Sequence, residues 1–126
     1  MHIPFADPYD PHLRALVTHA AREQGLVVHD RGTVVVVNGP RFSTQAASVG
    51  YRTSGWHVIN MTQHPEAALA REAGHPFAGV ALVTDFDAGL EGVDGIEPVT
   101  QEEVFATFDA NVVALRSLLL AVAVRA

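Results

Sequence analysis

Trp56-His57-Val58-Ile59-Asn60-Met61-Thr62 is an apolar run that stops on polar residues, and His64-Pro65-Glu66-Ala67-Ala68-Leu69-Ala70 follows it at once with good helix formers. The first stretch reads as a buried strand, the second as a helix that stops at Gly74. The same alternation continues on both sides. Upstream, Asp10 caps a helix over residues 11–24 with Pro11 at its first position and Leu13, Leu16, Val17 and Ala20 on one stripe. Leu26 to His29 and Thr33 to Val37 flank Asp30-Arg31-Gly32 and predict a hairpin, before Asn38-Gly39-Pro40 ends the strand and a small-residue helix runs from Thr44 to Arg52.

Downstream, Phe77 to Thr84 reads as another buried strand, and residues 88–98 form a loop with three glycines that can close over a ligand. Thr100-Gln101-Glu102-Glu103 has the capping-box arrangement. It opens a long final helix whose apolar positions Val104, Phe105, Phe108, Val112, Leu115, Leu118 and Leu119 keep helical spacing. Strands alternating with helices indicate an α/β fold, with a sheet flanked by helices rather than a helix bundle.

The chain has 126 residues, 48% of them hydrophobic, enough for a single domain over its whole length that buries roughly two-thirds of its unfolded surface. A formal charge of −6, with eight Lys and Arg residues scattered rather than striped, disfavours binding to a nucleic-acid backbone. Cysteine is absent, which removes disulfides and thiolate metal sites and is compatible with a reducing cytoplasm. Met1 to Phe5 lacks the charged and apolar regions of a signal peptide, and Leu118 to Val124 is too short an apolar run to cross a bilayer. The expectation is a soluble, cytoplasmic protein with no membrane partner.

Two polar clusters fall where apolar runs end: Asn60-Met61-Thr62 and Thr84-Asp85-Phe86-Asp87. Ligands of open α/β sheets bind outside the carboxyl ends of strands. Asp85 and Asp87 are one residue apart, so continued strand geometry would send both carboxylates from one face. Two carboxylates so placed could act on one ligand together. Like-charge repulsion between neighbouring carboxylates helps one of them keep a proton. By local pattern alone, the commoner use of such residues is as solvated turn carboxylates. Phe42 can stack on a flat base or anchor its loop in the core. No His-x-x-x-His pair, GxGxxG, Walker sequence or nucleophile elbow is present, so metal-site, nucleotide-triphosphatase and serine-hydrolase readings lack support.

Taken in order, His2-Ile3-Pro4-Phe5-Ala6-Asp7-Pro8-Tyr9, Gly39-Pro40-Arg41-Phe42-Ser43, Asn60-Met61-Thr62, Pro65-Glu66 and Thr84-Asp85-Phe86-Asp87 resemble the methylthioadenosine phosphorylases, a branch of the trimeric purine nucleoside phosphorylase family. The resemblance implies a nucleoside-phosphorylase-like mixed sheet and a pentosyltransferase. In that reaction phosphate attacks the anomeric carbon of 5′-methylthioadenosine, giving adenine and 5-methylthioribose 1-phosphate. It implies no metal or organic cofactor, only inorganic phosphate as co-substrate.

By position, the resemblance makes Phe42 the stacking ring, has Asn60 and Met61 line base and ribose, and gives Thr62 a phosphate contact. Asp85 and Asp87 would take the 6-aminopurine, Asp85 giving a proton to N7, a general-acid step that typically contributes on the order of a hundred to ten thousand in rate, and Asp87 accepting from the exocyclic amino group. His2 would reach a neighbouring subunit's site near the 5′ substituent, which implies a trimer. Gln101, Val104 and Phe105 would form the wall beside the methylthio group, and Gln101 departs from the apolar residue usual there. Gln45 and Ala47 stand where Arg and Glu are common. The family's glycine-rich phosphate loop and Arg-His pair have no counterpart, so the chain resembles the C-terminal half of such an enzyme. Missing donors cost about 2.7–4 kcal/mol each, which predicts weak activity for the chain alone. The alternatives are an inactive remnant, a purine-binding or assembly module, a chain complemented by a separate half, and a 6-oxopurine nucleoside phosphorylase. The uncovered sheet edge is expected to be an association surface.

Overall fold

The computed structural model describes residues 2–98 and 100–125. Its elements, in chain order, are α1 (Pro11–Glu23), β1 (Val34–Val36), α2 (Gln45–Thr53), β2 (Val58–Asn60), α3 (Gln63–Glu72), a single 3-10 turn (Ala88–Leu90) and α4 (Gln101–Ala123).

The starts of α1, α2 and α4 follow from local capping, whereas Thr62 before α3 makes no side-chain cap. The Asp10 carboxylate accepts a hydrogen bond from the Leu13 amide at 2.8 Å, and Thr44 Oγ1 accepts one from the Ala47 amide at 3.3 Å. The capping box at α4 is complete: Thr100 Oγ1 accepts from the Glu103 amide at 3.2 Å while Glu103 Oε2 accepts from the Thr100 amide at 2.9 Å. Gly25 and Gly74 take positive φ just past α1 and α3, a backbone state that any side chain would strain.

Contacts divide the chain into two compact units. The first gathers the N-terminal residues through Arg31, Thr62–Ala81 and the chain from Val113 onward. Ala20 and Ala21 of α1 pack with Leu118 of α4 at its centre, with Val17, Leu26, Val28 and Val122 against them. Arg125 donates to Glu23 at 2.5 Å, and the rings of Tyr9 and Phe77 lie 6.1 Å apart.

The second unit comprises Gly32–Met61 and Leu82–Val112. Its sheet is one parallel pair in the register Val34↔Val58, Val35↔Ile59 and Val36↔Asn60, with α2 as the crossover between the strands. Just beyond the strands, the Val37 amide donates to the Asn60 carbonyl at 2.9 Å. Tyr51 at the end of α2 stacks on Trp56 at 5.8 Å, and Arg52 pairs with Asp94 at 2.6 Å.

Three expectations are corrected. Residues 26–29 form no strand and no hairpin with 33–37. Instead Leu26 and Val28 turn toward the α1 cluster while Val27 between them is 95% exposed, so the alternation serves packing rather than a ladder. The partner that β1 finds is β2. Phe77 to Thr84 is not a strand either, for no described strand pairs with it, and Val83 is 69% exposed. The run at residues 56–61 shortens to three residues that are half-buried, not buried.

The apolar stretch near the end is also longer than residues 118–124. By length and composition α4 is enough to cross a membrane, with a mean hydropathy of 1.5 over its most apolar stretch, because its interior charges are few and widely spaced. Core helices of soluble proteins meet the same measure.

Candidate functional site

Because β1 and β2 are parallel, their carboxyl ends lie on one edge of the sheet and deliver two segments there: Asn38 to Phe42 after β1, and Met61 after β2. The Met61 side chain lies so close to Gly39 that a Cβ there would overlap its Cε. Glycine at this position lets the two strand-end segments touch. Asn60 occupies the last position of β2 opposite Val36, and its backbone carbonyl is held by Val37.

Phe42 projects from this edge with 82% of its surface exposed, which removes the alternative of a core anchor for the loop. Arg41 folds back to donate to the Phe42 carbonyl at 3.1 Å. Ser43 follows, half-buried, and Thr44 then starts α2.

The two aspartates have different settings. Asp85 is exposed and accepts a hydrogen bond from its neighbour Thr84 Oγ1 at 2.6 Å. Asp87 is half-buried, and its Oδ2 accepts a hydrogen bond from Ser48 Oγ of α2. Neither carboxylate forms an ion pair among the described residues. Both keep acceptor capacity beyond these single bonds, since a carboxylate can accept about four.

The 3-10 turn directly after Asp87 packs against α2. A Cβ on Gly89 would overlap Ser48 Oγ and come within 2.6 Å of the Thr44 carbonyl oxygen, and Leu90 is buried beside it. The beginning of the glycine-containing loop is therefore pinned, not free to close as a lid. Gln101 and Phe105 are exposed on the first turns of α4, with Val104 half-buried between them.

The same unit thus holds Phe42, Asn60, Met61, Asp85, Asp87, Gln101, Val104 and Phe105. His2 and Thr62 belong to the other unit, where both are exposed. A cleft of about 460 Å³ in that first unit is lined by Asp7, Tyr9, Asp10, Arg71, His75 and Phe77, among others, and contains none of the candidate site residues. There Arg71 donates to the Asp7 carbonyl, and burial raises the Tyr9 hydroxyl above its ordinary pKa. No group of three or more metal-ligating side chains occurs among the described residues.

Sequence reasoning passed over Ser48 and Gly89. The available signal was a small polar residue on the inner face of a small-residue helix, together with a glycine two positions after an acidic residue.

Residues 1–123 match the Phosphorylase superfamily. The chain belongs to that superfamily. It is 50% identical over 119 residues to the purine nucleoside phosphorylase of Streptomyces coelicolor, a match covering 94% of this chain and 41% of that protein. With the S-methyl-5′-thioadenosine phosphorylase of Mycobacterium tuberculosis the identity is 47% over 121 residues, covering 96% of this chain and 43% of the relative. Among solved structures, the methylthioadenosine phosphorylase from Schistosoma mansoni in complex with adenine superposes with a TM-score of 0.86 at 35% identity, covering 98% of this chain and 48% of that one. The fold is accordingly the α/β fold of nucleoside phosphorylases. The chain spans less than half the length of these superfamily members.

Proposed function

We propose that this chain carries the purine-recognition part of a nucleoside phosphorylase that cleaves 5′-methylthioadenosine. The observation that supports it most is that Asp85 and Asp87 fall in the same unit as the strand-end segments, in a chain 47% identical to a methylthioadenosine phosphorylase. Phosphate attacks the anomeric carbon as the bond to purine N9 breaks, and the electron pair of that bond passes into the ring. Asp85 gives N7 the proton that neutralises this charge, and Asp87 accepts from the 6-amino group. Phe42 stacks on the base, Asn60 and Met61 line base and ribose, and Thr62 contacts phosphate.

Val104, Phe105 and Gln101 face the 5′ substituent. Gln101 brings an amide to a position suited to an apolar group and broadens tolerance toward a 5′-hydroxyl. Inorganic phosphate is the co-substrate, no cofactor takes part, and the working form is a cytoplasmic trimer to which His2 contributes across subunits. The 50% identity to a purine nucleoside phosphorylase supports a second reading, a 6-oxopurine enzyme. An amide in place of Asp87 would suit a 6-oxo group better.

The test is phosphate-dependent release of base from methylthioadenosine, adenosine and inosine, followed by chromatography, for the chain alone and mixed with a polypeptide supplying the rest of the relatives' length. Adenine released from methylthioadenosine in either arm bears out the reading. Faster cleavage of inosine overturns the substrate choice. No turnover in the mixture together with no adenine binding by the chain overturns the enzyme reading, leaving an assembly module.

A further inference from the structure

Ser48 is among the most deeply buried side chains described, at 2% exposure, and it is polar. A buried hydroxyl without a partner is costly, and this one spends its proton on Asp87 Oδ2, across 39 positions of sequence. The contact is also built from the other side, because the 3-10 turn that starts at Ala88 presents Gly89 to Ser48 where any Cβ would overlap the hydroxyl. Thr44, which caps α2 with its side chain, places its carbonyl against the same glycine. The start of α2 and the turn after Asp87 therefore form one close-packed support, and the carboxylate at its rim is held by one oxygen. Asp85, exposed and bonded among the described residues to its neighbour Thr84, has no such support.

We propose that Ser48 is a positioning residue for Asp87: by holding Oδ2 from the buried face of α2, in the space that Gly89 leaves open, it turns Oδ1 toward the exocyclic amino group of a 6-aminopurine. The inference rests on the purine-recognition reading above and deepens it. A hydroxyl that fixes one carboxylate oxygen as acceptor removes one rotational freedom from the group that discriminates an amino from an oxo substituent. Selectivity at the 6-position then depends on a residue that never touches the base.

The experiment is calorimetric binding of adenine and hypoxanthine to the chain and to Ser48→Ala, Asp87→Ala and the double variant, with Ser48→Cys as a second variant that keeps volume while weakening the donor. Ser48→Ala and Ser48→Cys are expected to weaken adenine binding by about tenfold, the size of one hydrogen bond to a charged group, and to narrow the preference for adenine over hypoxanthine. In the Asp87→Ala background, removing the Ser48 hydroxyl should weaken binding no further, because the two act as one unit. Unchanged binding in both Ser48 variants overturns the proposal, as does a loss of equal size with and without Asp87 that leaves the base preference intact, since that pattern belongs to general packing. Absence of adenine binding by the unaltered chain, both alone and mixed with the polypeptide supplying the rest of the relatives' length, overturns the purine reading itself and this inference with it, an outcome distinct from the other two.

Discussion

Asp85 and Asp87 stand one residue apart, yet each answers to a different hydroxyl, and this difference sets what substitutions at each should do. Asp85 is exposed and, among the described residues, bonded only to Thr84, so Asp85→Asn should leave the circular dichroism spectrum and melting temperature unchanged while weakening adenine binding by about tenfold, read by calorimetry. If adenine binds the variant as well as the parent, Asp85 is a turn residue and nothing more. Phe42 follows the same logic. With 82% of its surface in solvent, its ring supports little of the fold, and Phe42→Ala should cost adenine affinity worth roughly 1–3 kcal/mol of stacking with little change in stability. The sequence displayed both residues because their spacing from a strand end is local information. It could not display Ser48, whose partner lies 39 positions away and whose burial depends on how α2 meets the turn after Asp87.

At the scale of elements, the helices were legible and the strand pairing was not. Capping chemistry is decided within four residues, so Asp10, Thr44 and Thr100 marked three helix starts correctly. A strand's partner is a non-local choice, and the β-branched run at 33–37 gave no sign that it would reach past α2 to β2 rather than back to 26–29. Phe77 to Thr84 misled for a related reason: apolar composition fits a strand, but a ladder needs a neighbour, and none is described there. The capping box gives a direct prediction. Thr100→Ala should destabilise the start of α4 by about 1 kcal/mol, seen as faster amide exchange in its first turn.

Hydrogen bonds from the Thr100 amide and hydroxyl hold the Glu103 carboxyl below its ordinary pKa. A lowered folded-state value means that this stabilisation is present above the unfolded pKa and is lost as pH falls through the folded one. Helicity at the start of α4 should therefore fall on acidification, and Glu103→Gln should remove that dependence. Glu23 follows the same sign through its bond to Arg125. If the acid response of α4 is identical in Glu103→Gln, the box does not control it.

For the whole molecule, the dominant fact is how much apolar surface stays in water. On α4 alone Phe105, Phe108, Val113, Leu119 and Leu120 are all at least 44% exposed, whereas Leu118 is buried. Apolar helix surface on this scale is ordinarily covered. The chain should self-associate at micromolar concentration, and Val113→Glu with Leu120→Glu should shift its sedimentation toward the monomer; an unchanged distribution would exclude this face from the contact. Leu118→Ala, in contrast, opens a cavity in the α1 cluster and should cost about 2–5 kcal/mol in urea unfolding. The parallel pair β1 and β2 has a further consequence. Three rungs between two strands form a frail ladder by themselves, and among the described residues no further strand pairs with either outer flank. The segments that would grip a purine are thus mounted on the softest part of the architecture, and deuterium uptake at Val35 and Ile59 becomes a gauge of occupancy: whatever closes on that rim should slow labelling there before it registers anywhere in the helices.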